Sequence, residues 1–375
     1  MRIFLTQSGV DTFLLFKHLL PFNSSKRWFF DKQQLINQMN NWNTSLPWIK
    51  PFYALKSNNS SNILKTMTDK RFIHKIGLDA ASMNEILLAK KYVKTTDIIY
   101  TNPHIIPHEG DKLCDLLKGI RFKIVDSVCE LENIINFDIT NDILLRVNSH
   151  VDTADCKFDS KFGVNIETAY KLVQMANNNN IKIRGLSFHI GSGGNHSRYD
   201  AYKKAFNKAA PLLNHLQQYS NEKIILDIGG GLKSDTDLTH VLGWTKDLPY
   251  EIIAEPGRYY SEPSYHLATQ IMSITERGVF IDNGVYHELN VYHRDNWKFP
   301  LLTHYYDIKT NKIQKIDNHL NINIFGPTCD SYDMIKNCMF PTNINKGDWI
   351  FLNNMGAYSS SGKCDFNGIV GASNH

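Results

Sequence analysis

No two cysteines in this chain are spaced as CxxC. The six that occur in 375 residues (Cys114, Cys129, Cys156, Cys329, Cys338 and Cys364) are scattered. That spacing supports neither a disulfide framework nor a zinc ribbon, so no metal site is expected and a reducing cytosol is the expected compartment. A block of like charge is missing too. The net charge of +4 comes from lysines and acids mixed along the chain, which excludes a surface built to follow a phosphate backbone and, with it, a nucleic-acid partner. Long apolar runs are also absent. The most apolar N-terminal piece, TFLLFKHLLPF, is broken by Lys17 and His18, has no small-residue cleavage site after it and is far short of a membrane span, so no membrane association is expected. Low-complexity tracts do not occur, and NNNN at 177–180 reads as a helix end before a strand. With 42% hydrophobic residues, the chain can bury one large core and a smaller one.

What the chain does contain is a series of eight short β-rich runs, each ending in polar or Gly/Pro residues: PFYALKS, HKIGLDAAS, DIIYTNP, RFKIVDS, DILLRVNS, RGLSFHIGSG, EKIILDIGGG and YEIIAEPGR. Between them lie segments such as MNEILLAKKY, KLCDLLKG and ETAYKLVQMA, apolar at helical spacing. Strand alternating with helix eight times predicts an α/β fold, a (β/α)8 TIM-like barrel over residues 21–261. Catalytic groups of such barrels sit at the C-terminal ends of the strands, where the series places Lys56, Asp79, Arg146, His189, Gly229, Gly230, Gly231, Glu255 and Arg258. From about residue 262 the helical period vanishes. Runs such as YHLATQIMSI, RGVFIDNGV and GDWIFLNN predict an antiparallel β domain over 262–375, to which residues 1–20 are expected to add a strand.

A lysine closing an apolar strand is by default a solvated surface charge. In a ring with a histidine, two carboxylates and two arginines, Lys56 reads instead as a reactive amine whose pKa burial lowers enough for it to attack a carbonyl and form a Schiff base. The glycines 229–231 offer backbone N–H groups unshielded by side chains. With the Ser192 hydroxyl and the Arg258 charge they provide for one phosphate, in the loops where barrels commonly hold it. A phosphate site beside a Schiff-base lysine points to pyridoxal 5'-phosphate, an electron sink only while its ring nitrogen stays protonated, and Glu255 is the acid placed to keep it so. His189, in LSFHI, would stack on the ring.

PFYALKSN, GLDAAS, LSFHIGSG, LDIGGG, IIAEPGRYY, GPTCDSYD and GDWIFLNNMGAYS, in that order, resemble the motif series of the ornithine decarboxylase family. These are the eukaryotic-type, group IV pyridoxal-phosphate decarboxylases that share the alanine racemase fold. The resemblance covers about residues 26 to 368. It implies a barrel followed by a β domain, a cytoplasmic homodimer with active sites shared between subunits, and a cofactor held covalently on Lys56. It also implies that Asp79 and Arg146 line the cofactor, and that Ser192, Gly229, Gly230, Gly231, the turn Glu255, Pro256, Gly257, Arg258, and Tyr358 hold its phosphate end. Cys329 matches the family's proton donor. Asp295 and Asp330 match the two acids for the distal ammonium of the substrate, Phe366 matches an aromatic wall of that pocket, and Lys161 with Asp333 matches a pair that bridges the subunits.

The implied activity is decarboxylation of a basic amino acid, L-ornithine to putrescine, a step of polyamine biosynthesis. Arg294 departs from the family, which often carries tyrosine there, and a cation beside Asp295 leaves lysine and arginine decarboxylation open. A non-catalytic homologue that binds a regulatory protein is a further alternative. A racemase of this fold would be expected to face the ring nitrogen with arginine rather than Glu255, and a diaminopimelate decarboxylase to carry glutamate after the cysteine, where CDSYD has aspartate. The chain stops soon after the FNG motif, so regulation through an extended tail is not expected.

Overall fold

The computed structural model describes residues 28–71, 76–139, 141–149, 160–191, 198–295 and 297–371. They form two compact units, Gln38–Tyr260 and a second that joins the start of the chain through Asn37 to the part from Ser261 onward.

The first unit contains eight parallel strands, β2 (Ile49–Ala54), β3 (Gly77–Ala80), β4 (Ile98–Tyr100), β5 (Phe122–Val125), β6 (Asp142–Arg146), β7 (Ile183–Ser187), β8 (Ile225–Asp227) and β9 (Glu251–Ala254). They pair in sequence order, and β9 pairs with β2 to close the barrel. The eight runs read from the sequence are these strands. Their inward residues Phe52, Ile99, Phe122, Ile124, Leu144, Ile225 and Ile253 form one buried cluster, the filled interior expected of a small barrel. Helices follow the strands, and side chains at the strand-to-helix corners start them. Ser82 Oγ accepts the N–H of Glu85 ahead of Met83–Ala89, Ser127 Oγ that of Glu130 ahead of Val128–Asn136, and Asn165 Oδ1 that of Thr168 ahead of Ile166–Asn178. The last of these helices ends within the asparagine run, where Asn180 takes φ +57°, as its short polar side chain permits.

One barrel position admits no side chain. A Cβ on Gly185 in β7 would lie 1.9 Å from the carbonyl oxygen of Ile225 in β8. Gly185→Ala is therefore expected to force β7 from β8 and to destabilise the protein by about 2–3 kcal/mol or more, the range of overpacked cores. Thermal melting reads this, and an unchanged midpoint would refute it.

In the second unit, β1 (Trp28–Phe30), β10 (Tyr265–Thr275), β11 (Gly278–Ile281), β12 (His304–Asp307), β13 (Lys312–Lys315), β14 (His319–Phe325), β15 (Met334–Pro341) and β16 (Trp349–Leu352) make an eight-stranded sheet in the order β13-β12-β16-β10-β11-β14-β15, with β1 on β10. The expectation of a purely antiparallel domain needs one correction: β11 (Gly278–Ile281) pairs with β14 (His319–Phe325) in parallel. Apolar alternation along a strand is the same for either direction, so the sequence does not distinguish them. The strand expected from residues 1–20 falls outside the described residues. The N-terminal strand that is described, Trp28–Phe30, pairs antiparallel with Tyr265–Leu267.

Candidate active site

Lys56 lies in a single 3-10 turn, Leu55–Ser57, directly after β2. Its Nζ is 3.3 Å from Asp79 Oδ2 at the end of β3. The Lys56 side chain is 41% exposed and the Asp79 side chain 1%. This corrects the expectation that burial tunes the amine: the barrel mouth leaves Lys56 accessible and buries its counter-ion instead. Thr101 Oγ1, just past β4, donates to Asp79 Oδ1 at 2.5 Å. Burial raises the Asp79 pKa to about 6; Lys56 and Thr101 oppose that rise and Glu255 adds to it.

Arg146 ends β6, with its guanidinium 4.8 Å above the Phe162 ring. His189 follows β7, and its Nδ1 accepts the Gly191 N–H at 3.0 Å, leaving the ring proton on Nε2. Desolvation, then the cations Arg146, Lys56 and Arg198, hold its pKa well below the usual value, so the ring is neutral. The turn after β8 explains its three glycines. Added Cβ atoms would lie 2.5 Å from Phe188 O at Gly229, 2.6 Å from Glu255 O at Gly230, and 2.3 Å from Gly191 O at Gly231, whose φ is +101°. Only bare backbone fits where the ends of β7, β8 and β9 converge. Tyr202 donates to Gly230 O at 2.7 Å and fixes the turn from outside.

Glu255 caps β9, 6% exposed, and its N–H donates to Gly229 O at 2.8 Å. Burial, followed by the neighbouring Asp227, holds its pKa well above the usual carboxylate range. Pro256 O accepts from Ala54 N at 3.4 Å, Gly257 O accepts from Tyr260 N at 3.2 Å, and Arg258 is 7% exposed. Ser192 lies outside the described residues. A neutral flat imidazole, a bare glycine turn, a buried guanidinium, a buried acid and an accessible amine, all on one unit, fit a planar anionic aldehyde such as pyridoxal phosphate.

The remaining expected residues apart from Lys161 belong to the second unit. Tyr286, which the sequence did not single out, joins two of them. Its ring stacks on Phe366 with centroids 4.3 Å apart, and its hydroxyl donates to Asp330. That bond and the Tyr332 N–H hold the Asp330 pKa below the carboxylate range. Cys329 is exposed, and its N–H donates to Asn367 Oδ1 at 3.1 Å. Asp295 is 7% exposed and lies 3.3 Å from Arg294 Nε. Arg294 in turn donates to Tyr358 O at 3.1 Å and sits 5.3 Å over its ring. Asp333 is buried, and its oxygens take the N–H groups of Val285 at 2.8 Å and Thr328 at 3.0 Å. Lys161 Nζ lies 5.1 Å from the Phe162 ring.

Two further residues escaped the sequence reading, Thr101 and Asp227. Asp227 carried a signal, being an acid inside the apolar run IILDI.

A family model described as pyridoxal-dependent decarboxylase, pyridoxal binding domain, matches residues 32–262. The ornithine decarboxylase of Saccharomyces cerevisiae is 30% identical over 373 residues, covering 88% of this chain and 76% of that protein. Antizyme inhibitor 2 of Xenopus laevis is 27% identical over 87% of this chain and 75% of its own length. Among solved structures, the arginine decarboxylase of Paramecium bursaria Chlorella virus bound to agmatine matches with a TM-score of 0.84 and 25% identity, covering 96% of this chain and 98% of that one.

Proposed function

The chain belongs to the ornithine decarboxylase family of pyridoxal-phosphate-dependent decarboxylases, and on that premise we propose that it converts L-ornithine to putrescine in polyamine biosynthesis. The observation that carries the reading is the presence, on separate units, of the Lys56–Asp79 pair among the barrel-end residues and of Tyr286 bonded to Asp330 and stacked on Phe366. Bound pyridoxal phosphate supplies an electron sink for the charge left on the α-carbon when carbon dioxide departs.

The chain's own residues do the rest. Lys56 Nζ, oriented by Asp79, is the amine that holds the cofactor and yields to the substrate amine. The neutral His189 ring presents a face for stacking, without a charge that would oppose the pyridinium. Gly229, Gly230 and Gly231, the turn Glu255 to Arg258, Ser192 and Tyr358 hold the phosphate end, Arg146 lines the site, and Glu255 faces the ring nitrogen. Cys329 Sγ, exposed to solvent, delivers the proton to the former α-carbon. Asp330, kept ionised by Tyr286 and Tyr332, receives the distal ammonium with Asp295, against the Phe366 wall.

The working form is a homodimer in which Lys56 of one chain serves a site completed by Cys329, Asp330 and Phe366 of the other. Support comes from the exposure of Cys329, Tyr332 and Phe366 in a single chain. No described helix is long and apolar enough to cross a membrane.

Carbon dioxide release from ornithine, lysine, arginine and diaminopimelate tests the substrate directly, and faster release from arginine or lysine would overturn ornithine while leaving the reaction class. The pairing of Arg294 with Asp295 favours keeping arginine and lysine in that panel, because it sets a cation beside one of the two recognition acids. Asp330→Ala and Asp295→Ala should each raise KM about tenfold or more, the scale of one hydrogen bond to a charged group, with the cofactor absorbance intact. An unchanged KM in both variants would remove these acids from recognition. A homologue that only binds a regulatory protein, as the likeness to an antizyme inhibitor raises, would neither turn yellow with pyridoxal phosphate nor release carbon dioxide.

A further inference from the structure

Asp227 ends β8 with no solvent exposure and has no part in the mechanism above. Ser187 Oγ, at the end of β7, donates to its Oδ2 at 3.1 Å, and the Gly229 N–H donates to its Oδ1 at 2.9 Å. Its carboxyl lies within hydrogen-bonding reach of the Glu255 carboxyl. Because Glu255 N–H also donates to Gly229 O, both acids are tied to the first glycine of the turn across the ends of β8 and β9.

Two carboxyl groups hydrogen-bond to each other only with a proton between them, since a carboxylate has no donor of its own. Asp227 already accepts from two donors and is held as the acceptor, so the proton belongs to Glu255. The groups facing the pair are consistent with one proton held there. Asp79 from β3 adds negative charge, Lys56 and Arg146 oppose it, and His189 and Tyr202 are neutral at physiological pH.

We propose that Asp227 is a positioning residue that keeps one proton on Glu255 until the cofactor's ring nitrogen docks against it, and that this proton then passes to the nitrogen. The inference rests on the reading that Glu255 faces that nitrogen. The O–H bond of Glu255 breaks and an N–H bond forms on the ring. Glu255 is left as the carboxylate beside the pyridinium, and Asp227 remains a carboxylate throughout. The site thus forms its ion pair at the ring without drawing a proton from solvent.

Asp227→Asn keeps the size of the side chain, removes its negative charge and offers an amide donor to Glu255, which should then be a carboxylate before the cofactor arrives. In infrared difference spectra, wild-type apoprotein should show a buried protonated carboxyl band that disappears on adding pyridoxal phosphate. D227N apoprotein, checked for folding by circular dichroism, should lack it, and Glu255→Gln should lack it too. Titration calorimetry in buffers of different ionisation enthalpy should find that D227N takes up about one more proton per site than wild type when pyridoxal phosphate binds. Equal proton uptake, or a carboxyl band unchanged in D227N, overturns the proposal. If D227N does not fold, a wild-type spectrum without the band, or with a band the cofactor leaves in place, overturns it equally. Failure of wild type to bind pyridoxal phosphate would instead sink the reading of Glu255, and the apoprotein band would still report on the pair.

Discussion

Lys56→Ala is expected to lower carbon dioxide release by roughly four orders of magnitude or more, the scale seen when a covalent-catalysis residue is removed from a unit that works together. The cofactor set beyond Lys56 stays intact in that variant. The glycine turn is fixed by Tyr202, and Asp79 keeps its Thr101 hydroxyl, so pyridoxal phosphate should still bind, non-covalently. Borohydride reduction of wild type should fix the cofactor to the peptide containing Lys56. A label on any other lysine, or a Lys56→Ala protein that keeps a tenth of its activity, would end the assignment.

The second large effect is a recovery. Lys56→Ala and Cys329→Ala proteins are each expected to be nearly inactive, but when mixed they should regain activity. If each site takes Lys56 from one chain and Cys329 from the other, a mixed two-fold dimer holds one intact site and one doubly damaged site. With free exchange about half the dimers are mixed, so the mixture should reach roughly a quarter of wild-type activity. Differently tagged chains establish whether exchange took place. Exchange without recovery would mean that each site is built within one chain.

The sequence exposed the barrel because parallel strands covered on both faces read as plain apolar runs, such as DIIY and EIIA, and because a barrel places its chemistry at strand ends, where polar residues interrupt those runs. The same logic singled out Lys56, Asp79, Arg146, His189 and Glu255, all of which the fold sets at or just past the ends of barrel strands. It failed where a contact is made by position rather than by pattern. Thr101 looked like an ordinary strand-end hydroxyl until the fold set it 2.5 Å from Asp79. Asp227 was visible as an acid among isoleucines and leucine, but its partner lies 28 residues further on, and only the adjacency of β8 and β9 brings the two carboxyls together. Tyr286 had no signal at all, since its importance comes from what stacks on it and what its hydroxyl reaches. The expectation of a buried lysine erred for a related reason: an apolar strand predicts burial of the strand, not of the side chain that leaves its end.

Every described residue proposed to hold the cofactor apart from Tyr358 lies on the unit Gln38–Tyr260, whereas the proposed distal-charge acids, Arg294 and Phe366 lie on the other. The two sets are therefore open to separate substitution. A substitution in the second set can redirect which side chain is accepted without touching the charges of Lys56, Asp79, Glu255 and Asp227, all of which lie in the barrel unit. A change of side-chain preference made through Arg294, which pairs with Asp295, would then leave the residues proposed to hold the cofactor as they are.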